Sequence, residues 1–486
     1  MSISTHPFDD DKLKEECGVF GIIGKDSAGA MTALGLHALQ HRGQEAAGII
    51  SHDGEHFHSH HGLGQVGENF DSESVIKRLI GNSAIGHTRY STTGETALRN
   101  VQPLFADFDF GGFAIAHNGN LTNAYTLRKQ LVSRGCLFRS TSDTEVVIHS
   151  MAMARGGNVI DRLIEALRQI EGAWSMVCLT KDMVIGARDP HGVRPLVLGK
   201  VDDAYVLASE TCGLDVIGAE FVRDVEPGEL VILSGSSVQS LHPFLSKPHK
   251  FCIFEYIYFA RPDSVIEGRS VYEMRKNIGM HLAREARVEA DIVVPVPDSG
   301  VPSAIGYAQE SGIPFDLGII RNHYVGRTFI QPSDRIRHLG VKLKHNANKR
   351  FIEGKRVVLV DDSIVRGTTS HKIVEMVRAA GAKEVHMRIS SPPTKHSCFY
   401  GIDTPQASKL LAHNYTVEQM SRFIGTDSLA FISLEGLYRA MGEPGRNPKE
   451  AQYCDACFSG DYPISLTDLN SNIPQGELSF LAKASE

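Results

Sequence analysis

Apolar positions along this chain follow two different rhythms, and the change comes near residue 250. In the first half, short apolar runs alternate with polar turns. CGVFGIIG (17–24), AAGIISHDG (46–54), AIGHTRYST (84–92), GGFAIAHNGNL (111–121), WSMVCLT (174–180), MVIGARD (183–189) and AYVLASE (204–210) each predict a short strand. Between them, AGAMTALGLHALQHRG (28–43), TEVVIHSMAMARGG (144–157) and VIDRLIEALRQIEG (159–172) place apolar residues at helical spacing. The expectation is a mixed α/β domain with a two-sheet core, whose strand order periodicity does not reveal.

Past residue 250 the cadence becomes helix, strand, loop, helix. SVYEMRKNIGMHLAREA (270–286) predicts a helix leading into ADIVVPVPDSG (290–300), and VPSAIGYAQESG (301–312) predicts another. KRVVLVDDSIVRGTTSHKIVEMVRAAGA (355–382) contains a strand, a polar loop and a helix in order, and EVHMRISS (384–391) adds a strand. This is the rhythm of a parallel α/β domain, in which ligands sit beyond the carboxyl ends of the strands.

Length and composition narrow the class. At roughly 100–200 residues per domain, 486 residues suggest two large domains and a small appendage. Hydrophobic residues make up 42% and charged residues 22%, which fits folded cores and not a disordered chain. Fifty cations against 57 anions leave a net charge of −7, so nothing global suggests a nucleic-acid coat. No apolar run approaches the roughly 18 residues of a membrane span. The leader MSISTHPFDDDKLKEE lacks both a signal-peptide apolar segment and a basic targeting face. A cytoplasmic protein without membrane or nucleic-acid partners is therefore expected. Eight cysteines spread over this length do not make a disulfide framework, so each needs its own explanation.

Cys17 follows the leader directly. Its bland role is core packing, and a functional role would need an accessible thiolate with a base beside it. A cut between Glu16 and Cys17 would create an α-amine with a pKa of about 7.7–8.0, which could serve as that base. In the second half, an apolar strand delivers Asp361 and Asp362 to its carboxyl edge. Gly367, Thr368 and Thr369 then offer backbone and hydroxyl contacts to phosphate at the start of a helix. The segment lacks the glycine–lysine ending of a Walker A loop. Cys454 and Cys457 form a CxxC pair that, alone, could be redox-active, zinc-binding or incidental. SHDGEHFHSHHG (51–62) reads as an exposed loop without coherent coordinating geometry.

Taken in order, CGVFGI, HALQHRGQEAAGI, GHTRYST, AHNGNL and SDTE, followed by PDSG and VVLVDDSIVRGTTS, resemble the glutamine amidophosphoribosyltransferases over nearly the whole chain after the leader. The resemblance is to the iron–sulfur, propeptide-containing form. It implies an N-terminal-nucleophile αββα glutaminase domain followed by a type I phosphoribosyltransferase α/β domain. The implied divisions are a propeptide (1–16), a glutaminase domain (17–250), a phosphoribosyltransferase domain (251–450) and a cluster-binding tail (451–486). Cys17 would be nucleophile and new amino terminus, and Asn118 with the Gly119 amide would stabilise the oxyanion. Arg89 would clamp the α-carboxylate of glutamine and Asp143 its α-ammonium, with Arg42 in a supporting role. The His87 and His117 side chains would not be needed as a base.

In the second half the resemblance assigns Asp361 and Asp362 to magnesium and ribose recognition. Ser363, Ile364, Val365, Arg366, Gly367, Thr368 and Thr369 would line the 5′-phosphate loop of phosphoribosyl pyrophosphate (PRPP). PDSG would form the pyrophosphate loop, with Ser299 as a magnesium contact. The segment 321–346 would be a lid carrying Arg327, Lys342 and Lys344 to phosphate. Cys252, Cys398, Cys454 and Cys457 would bind one [4Fe–4S] cluster, while Cys136, Cys178 and Cys212 are left to packing. Purine-nucleotide feedback and a homotetramer are further implications. The rival readings are a glutamine-dependent sugar-phosphate aminotransferase, which would need a sugar-isomerase second half, and a nucleotide-responsive homologue without catalysis.

Overall fold

The computed structural model describes residues 14–15, 17–90, 97–322 and 345–470. In the first half two antiparallel sheets lie face to face. One has seven strands in the order Glu220–Asp224, Val197–Val201, Ala204–Ala208, Gly18–Ile23, Ser83–Arg89, Ala46–His52, Phe57–Leu63. The other has six, in the order Ser237–Leu241, Leu230–Ser234, Val184–Arg188, Gly172–Leu179, Gly111–Leu121, Leu104–Phe108. Strand alternation explains the layering. Val19 and Ile23 pack between the sheets with Ala114, Ala116, Val177 and Leu179. Phe20 and Ile22 point the other way, onto Leu36 of the helix Ala28–Ala38.

On the far side, Phe113, Ile115, Met176 and Cys178 meet Leu127, Val147 and Leu163 from the helices Ala124–Ser133, Glu145–Met153 and Val159–Leu167. The result is the expected αββα stack. Burying each large apolar side chain stabilises it by about 1.5–3 kcal/mol. Gly21 lets the sheets approach, since a Cβ there would lie 2.6 Å from Val177 Cγ1.

The second half is built on four parallel strands in the order Ile292–Pro295, Arg356–Asp361, Glu384–Ile389, Ser428–Phe431. Val357 and Leu359 face Ile373 and Val377 of the helix Thr368–Ala379, while Val358 and Val360 face Ile278 of the helix Val271–Glu285. Helices thus cover both faces, and the strand ends stay free for loops. Residues 453–458 pack into the same core as 251–260.

One expectation is corrected. SHDGEHFHSHHG is not a loop: Ala46–His52 and Phe57–Leu63 form an antiparallel hairpin, the latter at the sheet edge. An edge strand tolerates polar residues on both faces, so apolar alternation was too weak to reveal it. Among the described residues, no helix is long and apolar enough to cross a membrane.

Candidate active sites and a cysteine centre

Cys17 opens the strand Gly18–Ile23 and is buried, 7% exposed. Its backbone N–H donates to Arg42 O at 3.1 Å, and its Sγ lies 3.9 Å from Tyr90 O. Its φ of 69° places a non-glycine residue in the left-handed region, which costs energy and persists only where neighbours over-determine it. Here they do. Gly18 N–H donates to Thr88 Oγ1 at 3.1 Å and Val19 N–H to Ser209 Oγ at 2.9 Å. Arg42 is fully buried. Its guanidinium donates to Glu210 and, at 2.8 Å, to Glu255 Oε2.

Asn118 follows Ala114 and Ala116 on the face turned toward the opposing sheet. It is fully buried, and among the described residues neither its Oδ1 nor its Nδ2 has a hydrogen-bond partner. Buried amides are rarely left so, because the desolvation cost is about 1–3 kcal/mol. Gly119 has φ 139°, and a Cβ there would lie 2.0 Å from Ala173 O, so no other residue fits without moving the strand.

Asp143 accepts from Leu121 N–H at 3.0 Å, tying the SDTE segment to the end of the Asn118 strand. Arg89 is 5% exposed and donates to Asn100 O at 2.8 Å, while Asn100 is itself held by Thr141 through two hydrogen bonds. Arg89 is thus linked through Asn100 to Thr141, two residues before Asp143, so complementary charges stand on connected elements of the two sheets. Burial, then the charge of Arg89, pushes His87 down to about 3, and burial lowers His117 too. The His87 imidazole is therefore not poised to exchange a proton near neutral pH.

In the second half, Asp361 ends its strand as expected, and both Asp361 and Asp362 are 2% exposed. Asp362 N–H donates to Asp361 Oδ1 at 2.9 Å, and Ser363 Oγ donates to Asp362 Oδ1 at 2.6 Å. Ile364 and Val365 turn inward, one into each flanking core, which leaves the loop backbone as the surface for a ligand. Gly367, at φ 79°, caps the helix Thr368–Ala379; Thr369 is buried and Thr368 exposed. The half-buried Ser299 belongs to a turn seated on the neighbouring strand end, where Val296 N–H donates to Val360 O at 2.8 Å. Arg366 is also half-buried. Arg327, Lys342 and Lys344 lie outside the described residues.

The four cysteines come from three segments laced by backbone. Ile253 N–H donates to Cys454 O at 3.2 Å and Cys454 N–H to Phe251 O at 2.9 Å, while the N–H groups of Lys395 and His396 both reach Cys457 O at 3.0 Å. Tyr400 N–H donates to Cys398 Sγ at 3.3 Å. Burial pushes the Cys252 thiol up to about 12, and it raises Cys454 and Cys457 as well, with the charges of Cys252 and Cys398 adding to the rise. Cys252, Cys454 and Cys457 lie in one core cluster, with Cys398 packed against it. Among the described residues, no three His, Cys, Asp or Glu side chains close on a single metal ion.

Sequence reasoning missed the ties between the halves. Asn120 Nδ2 donates to Phe399 O at 2.9 Å. Glu255 Oε1 accepts from Arg194 Nη1 at 2.9 Å, and Arg194 Nε donates to Tyr400 O at 3.0 Å. One signal was present: a single carboxylate inside the apolar run FCIFEYIYFA must find a cation if it is buried.

The fold and these two centres define a glutamine amidotransferase joined to a phosphoribosyltransferase, and the comparisons agree. Residues 87–215 match a family described as glutamine amidotransferase domain, and residues 271–392 one described as phosphoribosyl transferase domain. An amidophosphoribosyltransferase of Rhizobium etli is 59% identical over 482 residues, covering 98% of this chain and 97% of that protein. That of Bacillus subtilis is 49% identical over 455 residues, covering 93% and 95%. The solved structure of glutamine PRPP amidotransferase from B. subtilis, complexed with ADP and GMP, superimposes with a TM-score of 0.88 at 48% identity, covering 93% of this chain and 98% of that one. The chain belongs to the amidophosphoribosyltransferase family, and its activity is the glutamine-dependent step that commits to purine biosynthesis.

Proposed function

We propose that Cys17 becomes the amino terminus on removal of residues 1–16 and attacks the side-chain amide carbon of glutamine. The Sγ–C bond forms as charge develops on the amide oxygen, received by Asn118 Nδ2 and the Gly119 N–H. The α-amine takes the thiol proton and delivers it to the departing nitrogen. Ammonia leaves a glutamyl thioester, and water then releases glutamate and restores the thiol. Arg89 and Asp143 orient the substrate by its carboxylate and ammonium. In the second centre, ammonia attacks C1 of PRPP, the bond from C1 to pyrophosphate breaks, and 5-phosphoribosylamine forms. The observation that carries the reading is the buried Asn118 amide, without a hydrogen-bond partner among the described residues, beside Gly119 at positive φ.

Asp361, Asp362 and Ser299 offer the hard oxygen donors that magnesium takes together with substrate phosphates and water. When bound, the ion would neutralise the leaving pyrophosphate. Residues 363–369 hold the 5′-phosphate through their backbone, and Arg327, Lys342 and Lys344 complete the cover. The four cysteines suit a [4Fe–4S] cluster, because a four-iron cube takes one thiolate per iron and its ligands need not converge on one point. The cluster would have a structural role, since the reaction transfers no electrons. The chain divides at 16, 250 and 450 in this reading. Glutamine and PRPP are its substrates and purine nucleotides its feedback inhibitors, acting on a homotetramer, as fits the nucleotide complex of the B. subtilis relative.

Cys17→Ala tests the assignment with two nitrogen donors. Glutamine-supported synthesis is expected to vanish while synthesis from free ammonia persists, and unchanged glutamine turnover would remove Cys17 as nucleophile. Mass spectrometry of the active enzyme should find Cys17 at the amino terminus. Full activity with residues 1–16 attached would overturn the terminal-amine mechanism.

A further inference from the structure

The helix Ala124–Ser133 begins just beyond the strand that carries Asn118 and Gly119, and its own N-cap residue does not cap it. Asn123 stands at that position, yet its amide is engaged elsewhere. Its Nδ2 donates to Gln169 O at 2.9 Å, and its Oδ1 accepts from Glu171 N–H at 2.9 Å. The N–H groups of Tyr125 and Thr126, second and third in the helix, are the ones a capping side chain ordinarily satisfies. Asp468 satisfies them, from 343 and 342 residues further along the chain. Its Oδ2 accepts from Tyr125 N–H at 2.8 Å, and its Oδ1 from Thr126 N–H at 3.1 Å and Thr126 Oγ1 at 2.6 Å. A carboxylate in this place also meets the positive end of the helix dipole.

Asp468 belongs to a tail that is fastened at both ends. Toward the second half, Tyr462 Oη donates to Ser397 O at 2.6 Å. Tyr400 Oη donates to Ile464 O at 2.5 Å and accepts from Ile464 N–H at 3.0 Å. Toward the first half, Thr467 Oγ1 donates to Glu171, and Asp468 N–H donates to Thr122 O at 3.0 Å. Thr122 N–H in turn donates to Glu171 O at 2.8 Å. Residues 122–126 are therefore held by a segment that lies outside their own half. Leu121, directly before them, gives its N–H to Asp143 Oδ2 at 3.0 Å. The direction of that N–H depends on how the end of the strand is held.

We propose that Asp468 is a positioning residue for glutamine recognition. By capping the helix Ala124–Ser133 from the tail, it holds residues 121–126 so that the Asp143 carboxylate faces the α-ammonium of glutamine. This rests on reading Asp143 as the acceptor of that ammonium. A contact made alike in the bound substrate and in the transition state enters KM and leaves kcat in place.

The test uses the full enzyme and compares glutamine with glutaramate, which keeps the carboxylate and the side-chain amide but has no α-ammonium. In Asp468→Ala, KM for glutamine should rise at least about fivefold, the size of one lost cap, with kcat at saturating glutamine within about twofold. The Ki of glutaramate as a competitive inhibitor should stay within about twofold, because the weakened contact is one it does not make. Asp468→Asn retains one acceptor for the helix, so its KM should fall between those of the wild type and Asp468→Ala. Ammonia-supported synthesis should be unchanged in both variants. An unchanged KM for glutamine in Asp468→Ala overturns the proposal. So does an equal loss of affinity for glutaramate, a loss of the ammonia reaction, or an Asp468→Asn enzyme as impaired as Asp468→Ala. Failure of the underlying reading looks different: Asp143→Asn would then leave the KM for glutamine unaltered. If the proposal alone fails, Asp143→Asn raises that KM and Asp468→Ala does not.

Discussion

The two centres are built in opposite ways. The proposed glutamine centre lies inside the β-sandwich, where Arg89, Asn118 and Gly119 sit on paired strands and Cys17 directly before one. The proposed phosphoribosyl centre lies at the open end of a parallel sheet, with its acids at a strand terminus and Ser299 and residues 363–367 in the turn and loop beside it. The difference follows from the substrates. Attack on an unactivated amide needs donors aimed beforehand at a charge that exists only briefly. A large polyanion needs access first and enclosure afterwards.

Removing both acids should have the largest effect and should hit both nitrogen donors alike. Asp361→Asn combined with Asp362→Asn is expected to lower synthesis from either glutamine or ammonia on the order of 10³-fold, read in steady-state assays. Retained ammonia-dependent synthesis would break the division of labour between the halves. Next, Asn118→Ala should lower glutamine-dependent kcat by about 10²–10³-fold and spare the ammonia reaction. A loss confined to KM would mean that Asn118 binds substrate without stabilising charge.

A smaller effect on chemistry is expected at the cysteine centre. Cys454→Ser should deplete iron and labile sulfide and lower the thermal midpoint of the whole chain, since the same segments knit 251–254 to 454–457. Stoichiometric zinc in colourless wild-type protein would contradict the cluster.

The smallest effect on rate belongs to His87. Its pKa in the folded protein, about 3, lies below the ordinary 6.5, so the unfolded chain binds the extra proton first. The stability this burial confers is complete above pH 6.5 and is lost as pH falls toward 3, with a slope of at most about 1.4 kcal/mol per pH unit. His87→Gln should flatten that acid limb in pH-dependent denaturation while leaving the shape of the glutaminase profile between pH 7 and 9 unaltered, the pH range being about the titration of the α-amine. A profile that moves would make His87 part of the proton path.

Much of this was legible because it is local. The alternation in CGVFGIIG and GGFAIAHNGNL marked strands, and the step from VVLV to DDS marked a strand end with its acids. The histidine-rich 51–62 segment misled, since an edge strand with polar residues on both faces has no apolar period. The motif residues were visible, but the isolation of the Asn118 amide among the described residues was not, because an atom's partners are set by which distant segments the fold brings to it.

The sequence by itself determined the family and the order of its two halves, and its motifs marked the candidate nucleophile, acids and phosphate loop of the proposed reading. Motifs of this kind are short and local, so they survive without knowledge of the fold. Only the tertiary structure decided how the centres are joined. Arg42 and Glu255 are separated by 213 residues, and Arg194 and Tyr400 by 206, yet each pair meets in the interior. The cost of burying a charge tells that Glu255 must have a partner; which cation supplies it is settled by packing, where contacts are specific to the assembled fold.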